Sequence, residues 1–251
     1  LGIIGESGCG KSTLMKIVMQ LEKPTSGKIL YHGEDITGLK GEKLRQHRRN
    51  IQMVFQDPTT AFNPKMKVKD IICEPLLNFG LIKKGEKEEV AKKYLEMVEL
   101  PAEFMDRYPH NMSGGQRQRI GIARALVLDP EVLILDESTS ALDVSIQKNI
   151  IDLINKIQKE RNLTIGFVCH DIALVTETSH TVAVMYLGNI VEILPGNKLS
   201  KLAMHPYTKA LMSAVFDLNM DFSQPIEEIN NDISNKIDNI NACPFRDVIV
   251  Q

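Results

Sequence analysis

The chain has 251 residues, 43% of them hydrophobic and 25% charged, which is an ordinary composition for a globular protein that buries a sizeable core. Its net charge of −2 argues against a nucleic-acid-binding surface, because such a surface carries a basic stripe. No apolar run reaches transmembrane length, and the four cysteines are far apart, which indicates reduced thiols in a cytosolic protein that does not span a bilayer.

The first predicted element is the end of a strand. Leu1–Ile4 is apolar and runs directly into a glycine-rich turn, Gly5–Gly10. A helix is predicted over Ser12–Gln20. Because the chain begins inside a strand and without Met, we expect the natural N-terminus to lie further upstream.

Apolar, β-branched segments bounded by turn residues predict the other strands, Lys28–Tyr31, Ile51–Phe55, Val132–Leu135, Thr164–Val168, Thr181–Tyr186 and Ile190–Ile193. Apolar residues at helical spacing predict helices over Glu86–Glu99, Gln116–Leu128 and Ser145–Arg161. The basic stretch Lys40–Arg49 is expected to be a solvated face. Strands that alternate with helices predict an α/β fold with a mainly parallel sheet.

The segment from about residue 68 to 128 has helical patterns but no predicted strand. It is therefore expected to form an inserted helical subdomain. After Leu218 the composition changes to Asn, Asp and isolated Ile, which predicts that residues 219–251 form a polar tail.

A phosphate-binding loop is the first motif that carries chemistry. Residues 5–12 spell Gly-Glu-Ser-Gly-Cys-Gly-Lys-Ser, which matches G-x-x-x-x-G-K-[ST] between a predicted strand and a predicted helix. The glycines allow backbone N–H groups to surround phosphate oxygens. Lys11 is expected to reach the β- and γ-phosphates, and the Ser12 hydroxyl to bind Mg²⁺.

Two carboxylates end the apolar segment Val132–Leu135. Asp136 is the candidate Mg²⁺ ligand, and Glu137 is the candidate general base that orients a water molecule. Acidic residues are common at strand ends, so this pair indicates a catalytic site only in combination with the phosphate loop.

A second Ser-Gly-Gly turn, Ser113–Gln116, precedes a predicted helix. Such a helix start offers a second anion site. Taken alone, it is equally well explained by Ser113 acting as an ordinary helix N-cap.

Together these motifs resemble the ATPases of ABC transporters. The ordered set is the phosphate loop, Gln56 within Val54–Asp57, Ser113–Gln116, the Asp136-Glu137 pair, Ser140–Asp143, and His170 within Cys169–Asp171. This resemblance covers roughly the first 170 residues. It implies a P-loop NTPase core with a mainly parallel sheet, an antiparallel β portion and an inserted α-helical subdomain, together forming an ATPase domain over residues 1–218.

The resemblance also implies roles for individual residues. The catalytic residues would be Glu137, His170 and Gln56, and the Mg²⁺ ligands would be Ser12, Gln56 and Asp136. ATP would be bound by Gly5, Ser7, Gly8, Cys9, Gly10, Lys11, Ser12, Thr13, Ser113, Gly114, Gly115, Gln116 and Asp143. Two such domains would meet head to tail, so that Ser113–Gln116 binds the ATP held by the other ATPase subunit, whether identical or homologous.

A narrower resemblance points to the ATPase subunits of peptide and nickel importers. It rests on Phe55–Pro58 with Asn63-Pro64, Arg107–His110, Met185–Gly188 and His205–Leu211. It implies transmembrane permease subunits as partners, a solute-binding protein as an indirect one, and a peripheral location on the cytoplasmic face of the membrane. The segment from Gln56 to about Asn78 is expected to contact the permease. Only Cys243 echoes the subfamily's cysteine-rich C-terminal segment, so residues 219–251 look like a partial remnant without an iron–sulfur cluster.

Two other functions compete with a transport ATPase. A GTPase would use Asp35–Gly38 and Asn235–Asp238, but the first follows the phosphate loop too closely and the second lies in the polar tail. A soluble ABC ATPase acting on DNA or ribosomes usually has two ATPase domains or large insertions. This chain has one set of motifs and the importer-type segments.

Overall fold

The computed structural model describes residues 1–213 except residues 56, 139–142 and 170, and the side chains of residues 58 and 59 are also left undescribed. The predicted tail and Cys243 lie outside this range. Within it, the chain forms two compact units. One comprises residues 1–11 and the chain from residue 168 onward, and the other comprises residues 12–167.

The unit of residues 12–167 contains both strands and helices. Its strands are β2 (Leu30–Tyr31), β3 (Glu34–Asp35), β4 (Ile51–Val54), β5 (Val132–Asp136) and β6 (Thr164–Val168, whose last residue belongs to the other unit). Its helices are α1 (Lys11–Val18, whose first residue belongs to the other unit), α2 (Gly41–Asn50), α3 (Val68–Asn78), α4 (Lys87–Met97), α5 (Gly114–Leu126) and α6 (Val144–Arg161). Short 3-10 helices span Pro58–Ala61, Lys84–Glu86, Ala102–Asp106 and Pro109–Asn111.

In this unit, β4 and β5 are parallel, with Ile51 opposite Val132, and β6 lies beside β5. Strand β5 is buried along almost its whole length, which is typical of a parallel strand covered on both faces. The pair β2–β3 is a separate antiparallel ladder. This arrangement agrees with the α/β class predicted from the sequence.

Residues 68–128 contain helices and no strand among the residues described. Helices α3 and α4 pack on each other and on α5, which also contacts α6. Helix α6 buries Ile150, Leu153, Ile154 and Ile157, the apolar stripe that predicted it. It ends where Asn162 adopts a left-handed conformation with φ +53°. The boundaries of the helical subdomain and of the ATPase domain stay predictions.

The other unit is formed by the first strand and the later part of the chain. It contains β1 (Gly2–Ile4), α7 (Ile172–Thr178), β7 (Thr181–Tyr186), β8 (Asn189–Pro195), a 3-10 helix over Gly196–Lys198, α8 (Leu199–Leu202) and α9 (Pro206–Ser213). Strand β1 pairs parallel with β7, and β7 pairs antiparallel with β8.

Most predicted elements are present with shifted ends. The predicted strand Lys28–Tyr31 is reduced to the two residues of β2, and the first helix ends at Val18 because Gln20 has φ +54°. The basic stretch Lys40–Arg49 lies almost entirely in α2, none of whose residues is buried, as expected for a solvated face. Helices α2, α7, α8 and α9 and strand β3 were not predicted as such.

Candidate functional site

The glycine-rich loop requires glycine for two different reasons. Gly5, Gly8 and Gly10 have φ values of +151°, +80° and +105°, which side chains disfavour. A Cβ on Gly5 would also lie 2.1 Å from the carbonyl oxygen of Met185 in β7. A Cβ on Gly8 would meet nothing within 4 Å, so this glycine is needed for its backbone conformation alone. The loop can therefore present its backbone N–H groups to a bulky anion.

Lys11 is the most buried charged residue of the loop, with only 4% of its surface exposed. Its ammonium group donates hydrogen bonds to the carbonyl oxygens of Gly5 and Glu6, both at 2.8 Å. The lysine thus closes the loop on itself and holds a positive charge there. Ser7, Gly8 and Thr13 are exposed, whereas Cys9 is buried.

The following residue, Ser12, makes the contact that joins two of the motifs. Its hydroxyl donates a hydrogen bond of 2.9 Å to Oδ1 of Asp136, the last residue of β5. Asp136 is 8% exposed. A hydroxyl and a carboxylate are hard oxygen ligands of the kind that Mg²⁺ prefers, so these two residues fit the predicted metal site.

Glu137 follows directly and has an unusual backbone. Its φ of +47° is in the left-handed region, which costs about 1 kcal/mol or more for a residue with a Cβ. The side chain is half-buried. The chain thus turns sharply at the end of β5, immediately after the buried carboxylate of Asp136.

The second Ser-Gly-Gly turn begins α5 with a capping box. The Ser113 hydroxyl accepts from the Gln116 N–H at 3.3 Å, and Oε1 of Gln116 accepts from the Ser113 N–H at 2.9 Å. Ser113 is exposed and Gly114 is half-buried. A Cβ on Gly115 would lie 2.7 Å from Cγ2 of Ile146 in α6, so this glycine permits close packing of α5 on α6. Ser113 therefore acts as a helix cap.

Comparison with known proteins identifies the family. The profile of the ABC transporter family matches residues 1–140, more than half of the chain. The chain belongs to the ABC transporter family.

Several curated relatives in this family carry transport names. The chain is 49% identical over 214 residues to a probable peptide ABC transporter ATP-binding protein, y4tS, of Sinorhizobium fredii, and covers 61% of its length. It is 50% identical over 216 residues to the oligopeptide transport ATP-binding protein AppF of Bacillus subtilis, covering 66% of that protein. It is 43% identical over 250 residues to OppF of Salmonella typhimurium, covering 75%. These alignments include 85%, 86% and 98% of the chain.

Solved cassettes of the family share the fold. The ATP-binding cassette MJ0796, described as a dimer in a post-hydrolysis state bound to ADP and Pi, has a TM-score of 0.69 and 31% identity, with 77% of this chain and 84% of the cassette covered. CbiO1 of Clostridium perfringens, described as part of the ABC transporter complex CbiONQ, has the same TM-score and identity, with 78% and 77% covered. In the described part of this chain, no helix has the length and apolar character needed to cross a membrane.

Some residues expected to be functional in this ABC family member lie outside the described residues. They are Gln56, His170 and residues 140–142. Asp143 is described; it is exposed and precedes α6 as its N-cap residue, without a side-chain capping bond. The structure brings together Ser12 with Asp136 and Lys11 with the carbonyls of Gly5 and Glu6.

The structure also adds residues that sequence reasoning did not connect with the phosphate loop. The Gly188 N–H donates to the carbonyl oxygen of Cys9 at 2.9 Å. The Glu6 N–H donates to the hydroxyl of Tyr207 at 3.0 Å. Both residues lie in the segments Met185–Gly188 and His205–Leu211 that marked the importer subfamily. Membership in these two motifs was the signal by which the sequence could have singled out Gly188 and Tyr207. The sequence did not predict which residues they contact.

A cavity of about 250 Å³ lies within the unit of residues 12–167. Its walls are mainly apolar, and two arginines also line it. The lining includes Met53 and Val54 of β4, Phe55, Phe62, Pro75 of α3, Arg48 and Arg124. Of these residues, Phe62 and Pro75 lie in the segment from Gln56 to about Asn78 that was expected to contact a permease.

Proposed function

We propose that this chain is the ATP-binding and ATP-hydrolysing subunit of an ABC importer, energising peptide transport through separate membrane subunits. The observation that carries the proposal is the hydrogen bond between Ser12 and Asp136. It joins the residue that ends the phosphate loop to the carboxylate that ends β5, which is the pairing that a Mg-nucleotide site in a P-loop protein requires.

The proposed nucleotide site uses the loop and the residues that follow it. The backbone N–H groups of Gly5 and of Ser7 to Thr13 would bind the phosphates, with the Lys11 ammonium neutralising part of their charge. Ser12, Asp136 and Gln56 would hold Mg²⁺, which supplies further neutralisation of phosphate charge. Glu137 would accept a proton from the attacking water, and His170 would assist there.

The second anion site, Ser113–Gln116, is proposed to serve another subunit's nucleotide. The phosphate loop already provides N–H donors and a lysine for its own nucleotide, so the start of α5 and Asp143 would be left for a partner's ATP. A head-to-tail dimer, with an identical or homologous ATPase subunit, satisfies this requirement. The dimeric cassette MJ0796 supports the proposal by structural similarity.

The membrane partners are proposed to dock at the apolar cavity beside β4 and α3. Phe55, Phe62 and Pro75 provide an apolar wall, and Arg48 and Arg124 provide charge at the same place. The subunit would then act peripherally at the cytoplasmic face of the membrane, with a solute-binding protein as an indirect partner and no nucleic acid. The names of the relatives favour peptides, whereas the sequence motifs also suit nickel.

Lys11→Ala tests the nucleotide site directly. Loss of a charge-assisted hydrogen bond to phosphate should weaken ATP binding about 10- to 100-fold and reduce hydrolysis with it. Lys16→Ala is the control, because Lys16 lies in the same helix, is partly exposed and pairs with Glu22. Unchanged affinity and turnover in Lys11→Ala would refute the proposed site.

The transport role needs a separate experiment. The wild-type chain should be retained by detergent-solubilised permease subunits of a peptide importer, and Phe55→Asp, at an exposed position of the cavity wall, should reduce that retention without changing ATP affinity. Retention on DNA or ribosomes instead of the permease would favour the soluble ABC ATPase.

A further inference from the structure

A hydrogen bond links the phosphate loop to a helix far along the chain. The Glu6 N–H donates to the hydroxyl of Tyr207 at 3.0 Å, across 201 positions of sequence. Tyr207 is fully buried, with 0% of its surface exposed. A buried hydroxyl is a partner that water cannot easily replace, so this bond restrains the start of the loop.

Tyr207 is itself held in place from several sides. Its ring packs against that of Tyr186, the last residue of β7, with centroids 4.4 Å apart. Burial raises the pKa of the phenol above its ordinary value, so the hydroxyl is neutral at any physiological pH. The packed ring therefore holds the uncharged Tyr207 hydroxyl in a fixed position, where it accepts the hydrogen bond from the Glu6 N–H.

The segment that carries Tyr207 is anchored on β8. The Glu192 carboxylate accepts hydrogen bonds from the N–H groups of Met204 at 2.9 Å and His205 at 3.3 Å, just before α9 begins. Glu192 thus fixes the start of the helix whose second residue is Tyr207. A chain of hydrogen-bonded residues therefore connects Glu6 of the loop, through Tyr207, to strand β8.

Two later peptide groups of the loop are restrained as well. The Glu6 carbonyl accepts from the Lys11 ammonium at 2.8 Å, and further along the loop the Cys9 carbonyl accepts from Gly188. A loop with glycines at three positive-φ positions would otherwise sample many conformations. Each restraint lowers the entropy that nucleotide binding must take from the loop.

We propose that Tyr207 is a positioning residue of the phosphate loop, fixing the Glu6 peptide so that the N–H groups further along the loop face the nucleotide. This inference rests on the proposed function, because it assumes that the loop binds ATP. It gives a physical role to the His205–Leu211 segment. Restraint of the ground-state loop should affect nucleotide affinity and KM more than kcat.

Tyr207→Phe is the main test, because it removes the hydroxyl and keeps the ring. We expect MgATP and ADP to bind about 3- to 10-fold more weakly, KM to rise by a similar factor and kcat to change less than about twofold. Tyr94→Phe is the matched control: Tyr94 is also buried, and its hydroxyl lies 3.5 Å from the Val127 carbonyl oxygen in the other unit. This control should bind both nucleotides like the wild type.

A second measurement follows amide hydrogen exchange in the wild type and in Tyr207→Phe. In the wild-type protein without nucleotide, the Glu6 amide should exchange its hydrogen much more slowly than the exposed Gly8 amide, and Tyr207→Phe should remove that protection while amides of β7 stay protected. Equal exchange at Glu6 and Gly8 in the wild type would overturn the inference.

The outcomes separate the inference from the function on which it rests. A wild-type chain that binds no nucleotide would contradict the proposed function. A wild-type chain that binds nucleotide, beside a Tyr207→Phe variant with unchanged affinity and KM, would contradict the positioning role alone. An equal loss of affinity in Tyr94→Phe would also overturn it, since the loss would then reflect general destabilisation.

Discussion

The hydroxyl of Ser12 and the carboxylate of Asp136 form a 2.9 Å hydrogen bond across 124 positions of sequence. The carboxylate is almost fully buried, at 8% exposure. A buried carboxylate is costly unless it is paired, so a position of this kind is retained where its charge has a use. Coordination of a cation by Asp136 and Ser12 is the use that we propose.

Asp136→Asn should preserve the hydrogen bond from Ser12, because an amide oxygen still accepts, but it removes the charge that would bind Mg²⁺. We expect hydrolysis to fall on the order of 100-fold, with ATP still bound in the absence of Mg²⁺. The measurement is ATP affinity and turnover across a Mg²⁺ titration. Asp152→Asn, at an exposed position of α6, is the control and should leave the titration unchanged. A normal Mg²⁺ response in Asp136→Asn would remove Asp136 from the proposed metal site.

Glu137→Gln should abolish turnover while ATP remains bound, because an amide cannot accept the proton of the attacking water. The loss should reach at least about 100-fold, and the variant should accumulate an ATP-bound dimer. Single-turnover hydrolysis and size-exclusion chromatography with ATP measure the two effects. Near-normal hydrolysis would show that another group is the base.

The backbone of Glu137 supplies a control for this experiment. Its φ of +47° costs little for glycine, so Glu137→Gly should be equally inactive, and its free energy of unfolding should exceed that of Glu137→Ala, which also lacks the carboxylate, by about 1 kcal/mol. Inactivity with retained or increased stability separates a lost proton acceptor from a damaged fold. A Glu137→Gly variant no more stable than Glu137→Ala would contradict the strain assigned to this residue.

Gly115→Asp should prevent ATP-dependent dimerisation and hydrolysis, because it puts a negative charge where a partner's phosphate is proposed to approach. The structure adds a steric effect, since any Cβ there lies 2.7 Å from the Ile146 methyl group. The fair comparison is therefore with Gly115→Ala, which carries the packing cost of about 1–3 kcal/mol without the charge.

Both Gly115→Asp and Gly115→Ala should bind ATP as monomers with near wild-type affinity. When Ile146→Ala is added to relieve the clash, the alanine variant should dimerise and the aspartate variant should not. The readouts are monomer nucleotide affinity and ATP-dependent dimerisation with the cognate ATPase subunit. Normal dimerisation and turnover of the Gly115→Asp, Ile146→Ala double variant would overturn the composite site.

Cys73 should resist alkylation in the native protein. Its side chain is fully buried in α3, and burial raises the pKa of the thiol to about 11. The thiolate is the reactive form, so at pH 8 only about one thiol in a thousand is reactive, and reactivity should rise as the pH approaches 11. Mass spectrometry after iodoacetamide treatment should find Cys73 modified only once the protein is unfolded. Rapid native labelling at pH 8 would show that the α3 packing opens.

The sequence could predict the features that local interactions control. The phosphate loop follows from its glycines, because positive φ values are set within the loop itself. Helix α6 follows from its apolar stripe, and the start of α5 follows from the Ser113 cap, since both interactions span only three or four residues. The α/β class follows from the alternation of such elements.

The short elements were harder to predict. Helix α8 has four residues and α9 has eight, too few for helical periodicity to stand out from chance. Strand β2 was predicted twice as long as it is, because an apolar, β-branched run indicates a strand without showing how far its partner extends.

Only the tertiary structure decided which distant residues support the site. The motifs singled out Gly5, Gly115 and the His205–Leu211 segment, but not that Gly5 lies against the Met185 carbonyl, that Gly115 meets Ile146, or that Tyr207 accepts from Glu6. These contacts depend on the packing of elements separated by tens to hundreds of residues. A pattern along the chain records the local preference of each residue, whereas the partner on the far side of a packed interface is set by how the whole chain fills its core.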